Sequence, residues 1–242
     1  MSKVYVVGIG PGAYEKMTME AARVLRSCDV IVGYTVYVDL VKEHFPEKEF
    51  LTTPMRKEVE RCELAFEKAA EGKTVAMICS GDAGVYGMSG LMLEIGSRYP
   101  EIPVEMVAGV TAAIGGAAVL GAPLIHDFAL ISLSDLLTPW EKIETRLRLA
   151  AQADFVICLY NPSSRKRHDY LQKACDLIME SQPETLVCGI VWNIGREGEA
   201  AKLCTLKELR DEQVDMFTTV FIGNSQTKEL NGHMVTPRGY LI

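Results

Sequence analysis

The stretch Lys73–Met92, KTVAMICSGDAGVYGMSGLM, decides the fold. Val75 to Cys79 is a short continuous apolar run, the pattern of a strand buried on both faces. Ser80-Gly81-Asp82-Ala83-Gly84 breaks the run with small residues, where a backbone must turn tightly or approach a ligand closely. From Tyr86 onward the spacing Met88, Leu91, Met92, Ile95 has helical period. The unit therefore reads strand, glycine loop, helix. In open α/β sheets such loops lie at the carboxyl ends of parallel strands, where small molecules bind. A plain β-to-α turn has the same outline. Two glycines flanking an aspartate are what point beyond it to a ligand.

On the N-terminal side, Lys3 to Gly8 (KVYVVG) starts another apolar strand, followed by Ile9-Gly10-Pro11-Gly12. Gly8, Gly10 and Ala13 satisfy the G-x-G-x-x-[GA] dinucleotide fingerprint superficially. That reading fails on two grounds. Pro11-Gly12 is a turn, and helix character begins only near Thr18, a good N-cap before Met19-Glu20-Ala21-Ala22. The acidic residue expected at the end of the second strand is also missing, because Val30-Ile31-Val32 runs into Gly33-Tyr34. Arg56 to Glu71 reads as an amphipathic helix with Val59, Leu64 and Ala65 inward.

On the C-terminal side, Pro103 to Val107 is a strand, then Ala108-Gly109-Val110-Thr111-Ala112-Ala113 leads into a small-residue helix through Leu120. A domain boundary is expected between about residues 109 and 116, giving an N-terminal α/β domain 1–112 and a C-terminal α/β domain 113–242. Phe128 to Ser132 is a strand. Thr138 is a natural N-cap with Pro139 at the first helical position, and Glu141 completes a capping box. Asp154 to Leu159 is a strand ending in Tyr160-Asn161-Pro162; a basic helix start and a helix to about Glu180 follow. Thr185 to Val191 and Thr218 to Ile222 are further strands. Strands alternating with helices argue α/β, with antiparallel additions expected from Ala201–Leu206 and Thr218–Ile222.

At 242 residues the chain holds one large domain or two. Apolar residues make up 48% and charged residues 24%, ample for a packed core. No apolar run reaches the ~18 residues of a membrane span, and the N-terminus enters a strand without a signal-peptide pattern. The seven cysteines show no CxxC or His pairing, so neither zinc nor an iron–sulfur cluster is indicated. Cys79, Cys158 and Cys188 read as buried thiols. An odd count without an export signal fits a reducing cytoplasm. The net charge of −7 argues against nucleic acid. An anionic small molecule would need a local cationic cluster. Arg56-Lys57 with Arg61, Arg165-Lys166-Arg167, and Arg196 are candidates, each also explained as a solvated helix face.

Taken together, GIGPG at Gly8–Gly12, SGDAGVYG at Ser80–Gly87, AGVTA at Ala108–Ala112 and LYNP at Leu159–Pro162 resemble the tetrapyrrole (precorrin) methyltransferases, along essentially the whole chain. Four longer stretches, GYTVYVDLV at Gly33–Val41, LTTPMRKEVER at Leu51–Arg61, HDFALISLSDLLTPW at His126–Trp140 and YNPSSRKR at Tyr160–Arg167, resemble the precorrin-3B C17-methyltransferases of cobalamin biosynthesis. Ala83 and Ala108 depart from the pattern, standing where the family usually has prolines. The resemblance implies two αβα domains with mixed sheets and S-adenosylmethionine in the cleft between them, S-adenosylhomocysteine being the product. It implies a homodimer and a tetrapyrrole substrate, with or without cobalt, methylated at C17 with contraction of the macrocycle. By motif position, Gly81, Asp82, Val85, Tyr86, Thr111, Ala112, Tyr160 and Asn161 would hold the cofactor, with Trp192, Asn193, Thr218 and Thr219 on the adenine side. Pro11, Gly12, Arg56, Arg165, Lys166 and Arg167 would meet the substrate. No metal site of the protein's own is expected.

Methyl transfer mainly needs nucleophile and methyl held in near-attack geometry. Ring contraction also needs a hydroxyl proton removed, which suits a general base near neutrality. His126 is the first candidate because imidazole titrates in that range. Asp127 could orient it or act itself, and Asp135 is a further alternative, equally explained as a turn residue. Two other functions fit the same motifs: a precorrin methyltransferase acting at another ring carbon, and a nucleoside-binding α/β protein without chemistry.

Overall fold

The apolar runs of the first half become one parallel sheet in the computed structural model, which describes residues 2–164 and 168–240. The chain divides into two units, Met1–Ala112 and Ala113–Ile242. In the N-terminal unit, β1 (Lys3–Gly8), β2 (Val30–Tyr34), β3 (Glu49–Thr53), β4 (Thr74–Cys79) and β5 (Val104–Val107) run in the order β3-β2-β4-β1-β5. Every pairing is parallel, with Val6 opposite Met77 and Met106. Val7, Ile31, Ala76 and Ile78 face α1 (Met19–Ser27) and α2 (Thr35–Val41). Val4, Val6, Val32, Val75 and Met77 face α3 (Glu58–Ala70) and α4 (Ser89–Gly96). Both faces are covered, which is why the central strands read as continuous apolar runs rather than alternating ones.

Edge strand β3 escaped the sequence reading because it pairs only with β2 and leaves Glu49 and Thr52 exposed. Thr18 does cap α1, its Oγ1 accepting the Ala21 N–H at 3.1 Å. A 3₁₀ turn at Tyr14–Lys16 separates that helix from the Gly8–Gly12 loop, unlike a dinucleotide fold. In α3 the inward stripe is Cys62, Ala65, Phe66 and Ala69, with Arg61 buried beside it. Val59 is 51% exposed rather than inward, and residues 54–60 are exposed as a run. The first turn of the helix therefore lies at the surface, and burial starts only with Arg61.

The C-terminal unit carries a mixed sheet of β7 (Phe128–Ser132), β8 (Val156–Tyr160), β9 (Val187–Trp192), β10 (Ala200–Thr205) and β11 (Thr218–Ile222), ordered β10-β9-β11-β8-β7. Only β7 and β8 are parallel; the other pairings are antiparallel. The two late strands expected to add antiparallel do so, but β9 lies between them and they do not pair with each other. Helices α5 (Ala112–Leu120), α6 (Trp140–Gln152), α7 (Tyr170–Met179) and α8 (Leu206–Leu209) accompany this sheet. Ile143, Leu147, Leu171 and Ile178 pack on Ile157, Leu159, Ile190 and Val220. A smaller sheet joins β6 (Gly121–Ala122) to β13 (His233–Val235), which pairs with β12 (Lys228–Leu230).

The capping box expected at Thr138 and Glu141 does not form. Pro139 takes an extended ψ of 141° and is itself the N-cap, without a side-chain cap bond. Its carbonyl accepts the Lys142 N–H at 3.0 Å, so the helix starts one residue later, at Trp140. A capping box does exist at Thr205 and Glu208, heading α8. The basic start expected for α7 falls on Arg165–Arg167, outside the described residues.

Candidate functional site

In the N-terminal unit the chain leaves β1 toward β2 through α1, and leaves the neighbouring β4 toward β5 through α4. These helices cover opposite faces of the sheet. The loops after β1 and β4 therefore diverge, opening a crevice at the carboxyl ends where α/β sheets take ligands. Glycine loops fill this end. Gly10 and Gly81 form an isolated bridge, N to O at 3.0 Å and 2.7 Å in the two directions. Both take positive φ, 78° and 68°. A Cβ on Gly8 would stand 2.7 Å from the Gly81 oxygen and 2.8 Å from the Gly109 nitrogen, and one on Gly109 would overlap the same oxygen. The loops after β1, β4 and β5 are thus closed on each other by main-chain atoms.

Asp82 ties the same loops together. Its Oδ1 accepts the Gly84 N–H at 2.8 Å and its Oδ2 accepts the Gly109 N–H at 2.8 Å. The Asx turn is real, but the side chain also holds the loop after β5. A carboxylate has about four lone-pair sites, so each oxygen keeps one for a ribose hydroxyl or an ammonium group. Val85 closes the turn through its N–H to the Asp82 carbonyl at 3.2 Å. Tyr86 sits at φ 53° and is 55% exposed, a left-handed conformation uncommon for an aromatic residue. Thr111 and Ala112 follow the Gly109 crossing, and both are half-buried.

Beside the loop, at the ends of β2 and β4, is a cavity of about 230 Å³ lined by Tyr34, Tyr37, Arg61, Cys79, Ser80 and Tyr86, among others. Burial pushes the Cys79 thiol up to about 11, so it is no nucleophile at neutral pH. Pro11 and Gly12 are buried in the loop after β1. Arg56 is exposed with φ 67°, its backbone N–H donating to Glu58 Oε1 at 3.2 Å. Arg165, Lys166 and Arg167 lie outside the described residues. The reading of the residues passed over how closely Gly8 and Gly109 pack; glycine at both strand ends was the available signal.

In the C-terminal unit, register brings six predicted residues to one end of the sheet. Ser132 lies opposite Tyr160, and Trp192 opposite Thr218. Tyr160, Asn161, Trp192, Asn193, Thr218 and Thr219 therefore share that end. Asn161 and Asn193 take φ of 54° and 50°, where asparagine is tolerated. The Tyr160 hydroxyl accepts the Ala113 N–H at 2.7 Å near the start of α5, and Asn161 Nδ2 donates to Ser132 Oγ at 3.0 Å. Thr218 Oγ1 donates to Asp215 Oδ1 at 2.8 Å, and Trp192 Nε1 to the Gln213 carbonyl at 3.4 Å.

The acid–base candidates do not gather. Asp135 follows β7 at the Tyr160 end, its Oδ2 accepting from the Tyr170 hydroxyl at 2.7 Å. His126 and Asp127 precede β7, at the opposite end of the sheet, where Val156 donates its N–H to the Asp127 carbonyl. Both are exposed and line a separate cavity with Asp154 and Asn224. The length of β7, about 13 Å at ~3.3 Å per residue, separates them from Tyr160 and Asn161. Proximity of His126 to Phe128 in sequence says nothing of which end of the strand the chemistry uses. Among the described residues no cluster of His, Cys, Asp or Glu could hold a metal ion, and no helix is long and apolar enough to cross a membrane.

Comparison with known proteins extends the likeness to the whole chain. The family described as tetrapyrrole (corrin/porphyrin) methylases matches residues 3–210. A probable cobalt-factor III C(17)-methyltransferase of Salmonella typhimurium is 48% identical over 238 residues, 98% of this chain and 99% of that protein. A precorrin-3B C(17)-methyltransferase of Sinorhizobium sp is 38% identical over 246 residues, 98% of this chain and 96% of that protein. The crystal structure of the methyltransferase CobJ superposes with a TM-score of 0.89 at 33% identity, covering 98% of this chain and 100% of that one. A parallel glycine-loop unit followed by a mixed-sheet unit, matched end to end in this way, places the chain in the tetrapyrrole methylase family as a methyltransferase.

Proposed function

We propose that the chain methylates C17 of a precorrin-3B-type tetrapyrrole and contracts its macrocycle, in cobalamin biosynthesis. The observation that carries this reading is the lacing of Gly8, Gly81 and Gly109 around Asp82 at the crevice of the parallel sheet, in a chain similar over its full length to C17-methyltransferases. Identity of 48% to the cobalt-factor III relative against 38% to the precorrin-3B one supports the cobalt-loaded substrate.

The site residues fit S-adenosylmethionine: glycine backbone leaves no side chain in its way, and Asp82 keeps lone pairs for hydroxyl or ammonium groups. When bound, it supplies a methyl group activated by a sulfonium. Gly81, Asp82, Val85, Tyr86, Thr111 and Ala112 of the N-terminal unit bind and orient it. Tyr160 and Asn161 of the C-terminal unit help hold it, and Trp192, Asn193, Thr218 and Thr219 offer the adenine-side contacts. Pro11, Gly12, Arg56 and Arg165–Arg167 stay assigned to the substrate. Asp135, at the Tyr160 end of its sheet, takes the general-base role in preference to His126 and Asp127. The family resemblance also supports a homodimer and a cytoplasmic location, which sedimentation and cell fractionation test.

The test is anaerobic incubation with S-adenosylmethionine labelled in its methyl group and with either cobalt-loaded or metal-free substrate, followed by NMR of the product. Label at C17 of a contracted ring is expected, faster with the cobalt form. Label at another carbon, or none, would sink the proposal.

A further inference from the structure

We infer that the Arg61 guanidinium is a carboxylate receptor in the N-terminal unit's cavity, placed to take one side-chain carboxylate of the substrate. The inference rests on the tetrapyrrole reading above and adds a specificity-determining residue to it.

Arg61 is only 5% exposed. Its Nε donates to Thr53 Oγ1 at 2.9 Å, one Nη donates to the Pro54 carbonyl at 3.0 Å, and its charge lies 5.8 Å from the centre of the Tyr34 ring. All three partners are neutral. Among the described residues Arg61 enters no ion pair; Glu58, on the rim of the same cavity, accepts the backbone N–H of Arg56 instead. A buried guanidinium without a carboxylate carries a desolvation cost that hydrogen bonds to a hydroxyl and a carbonyl only partly offset. A neutral glutamine could make bonds of that kind. Among the described residues the charge itself has no ion-pair partner.

The unused part of the guanidinium faces open space. Nη1 makes no hydrogen bond among the described residues, yet no buried side-chain nitrogen or oxygen lacks a partner. Nη1 is therefore not sealed in the core, and the space Arg61 lines is the cavity of about 230 Å³. Tyr34, Tyr37 and Tyr86 supply flat walls there, and the glycine loop begins at its Ser80 edge. An arginine fork with one side anchored on Thr53 and Pro54 and the other open is pre-organised for a carboxylate. A carboxylate on a short arm of a flat macrocycle matches both the charge and the aromatic walls. Arg56, in the exposed run 54–60, has neither the burial nor the cavity.

The test uses the full chain with cobalt-factor III and with its separate monomethyl esters. Arg61→Gln should raise the substrate KM about tenfold or more, as loss of a charge-assisted bond predicts, leaving S-adenosylhomocysteine affinity at the wild-type value. Arg61→Lys, which keeps the charge without the fork, should recover part of the loss. One ester should bind the wild type as weakly as the free acid binds the Gln variant, and that variant should not discriminate against it. If Arg61→Gln is too unstable to assay, the Lys variant with the ester series decides. Folded variants with wild-type KM, or with undiminished discrimination against every ester, overturn the inference alone. A wild-type chain that binds S-adenosylhomocysteine but neither binds nor methylates cobalt-factor III removes the substrate reading and this inference with it.

Discussion

The Asp82 carboxylate accepts the backbone N–H of Gly109 at 2.8 Å across 27 residues of chain. With its other oxygen on Gly84 N–H, it requires an acceptor on both sides. Asparagine has one acceptor and one donor. Asp82→Asn must therefore set an NH₂ against a backbone N–H, although its shape is unchanged. The variant should lose about 1 kcal/mol of stability, the net worth of one part-buried hydrogen bond. Its affinity for S-adenosylhomocysteine should fall at least about tenfold, or 1.4 kcal/mol. Thermal unfolding and calorimetry read the two effects; wild-type values in both would remove Asp82 as the clamp.

Gly84 and Gly109 lie at the two ends of that clamp but should respond differently to alanine. At Gly84 the new Cβ meets only Asp82 Oδ1, at 3.1 Å. At Gly109 it overlaps the Gly81 carbonyl, which is backbone and cannot rotate away. Gly109→Ala should therefore cost more than the ~1–3 kcal/mol typical of overpacking, and Gly84→Ala less than about 1 kcal/mol. Denaturant midpoints would show the ranking, and equal losses would contradict it.

The position of β7 divides the acid–base candidates. His126→Ala should leave the ratio of contracted to uncontracted product unchanged, because His126 stands at the far end of that strand. Asp135→Asn should lower the ratio, by the 10²–10⁴-fold or so that general-base help is worth. The bond from Tyr170 to Asp135 offers a control: Tyr170→Phe removes that bond and keeps the carboxylate. A changed ratio in His126→Ala, beside a normal one in Asp135→Asn, would restore the histidine.

Alkaline pH should weaken the fold through its thiols. Burial raises Cys28 and Cys79 from 9.0 to about 11, and Cys62 to about 12. These groups stay protonated in the native chain while the unfolded chain gives up its protons near pH 9. Their stabilising contribution is complete below that value and is lost as pH rises toward 11–12. Each thiol adds a slope of up to about 1.4 kcal/mol per pH unit. Urea midpoints at pH 7, 8.5 and 10 should stay level over the first interval and fall over the second. A midpoint rising between pH 8.5 and 10 would contradict the assignment.

Much of this architecture could be read from the chain because burial on both faces writes a plain signal. Lys3–Gly8 keeps its predicted limits for that reason, and Val75–Cys79 falls inside β4. The errors fall where local rules compete. Thr138 satisfies the capping pattern, but the extended Pro139 moved the helix start. Val59 looks apolar enough to be core, yet burial in α3 begins with a charged residue, Arg61, whose cavity depends on β2, β3 and β4 together. Gathering of Tyr160, Trp192 and Thr218 depends on antiparallel register, which no single stretch encodes. The departures at Ala83 and Ala108 also find an account: the next residue after each, Gly84 and Gly109, donates its N–H to Asp82. A backbone hydrogen bond to the Asp82 carboxylate holds each loop where a proline ring would have fixed φ.

The small third sheet has a consequence for synthesis. Gly121 and Ala122 pair with Met234 and Val235, and buried Thr236 donates from Oγ1 to the Pro123 carbonyl at 2.7 Å. Emerging from the ribosome, the five strands of the first unit are all available by residue 107. The second unit keeps an edge without its partner until more than a hundred further residues have followed Ala122. Folding during translation thus runs in two stages, with the later unit waiting on one of its last strands. A nascent chain halted just past Ile222 would expose the Gly121–Ala122 edge to chaperones, while the first unit was already protected from proteases.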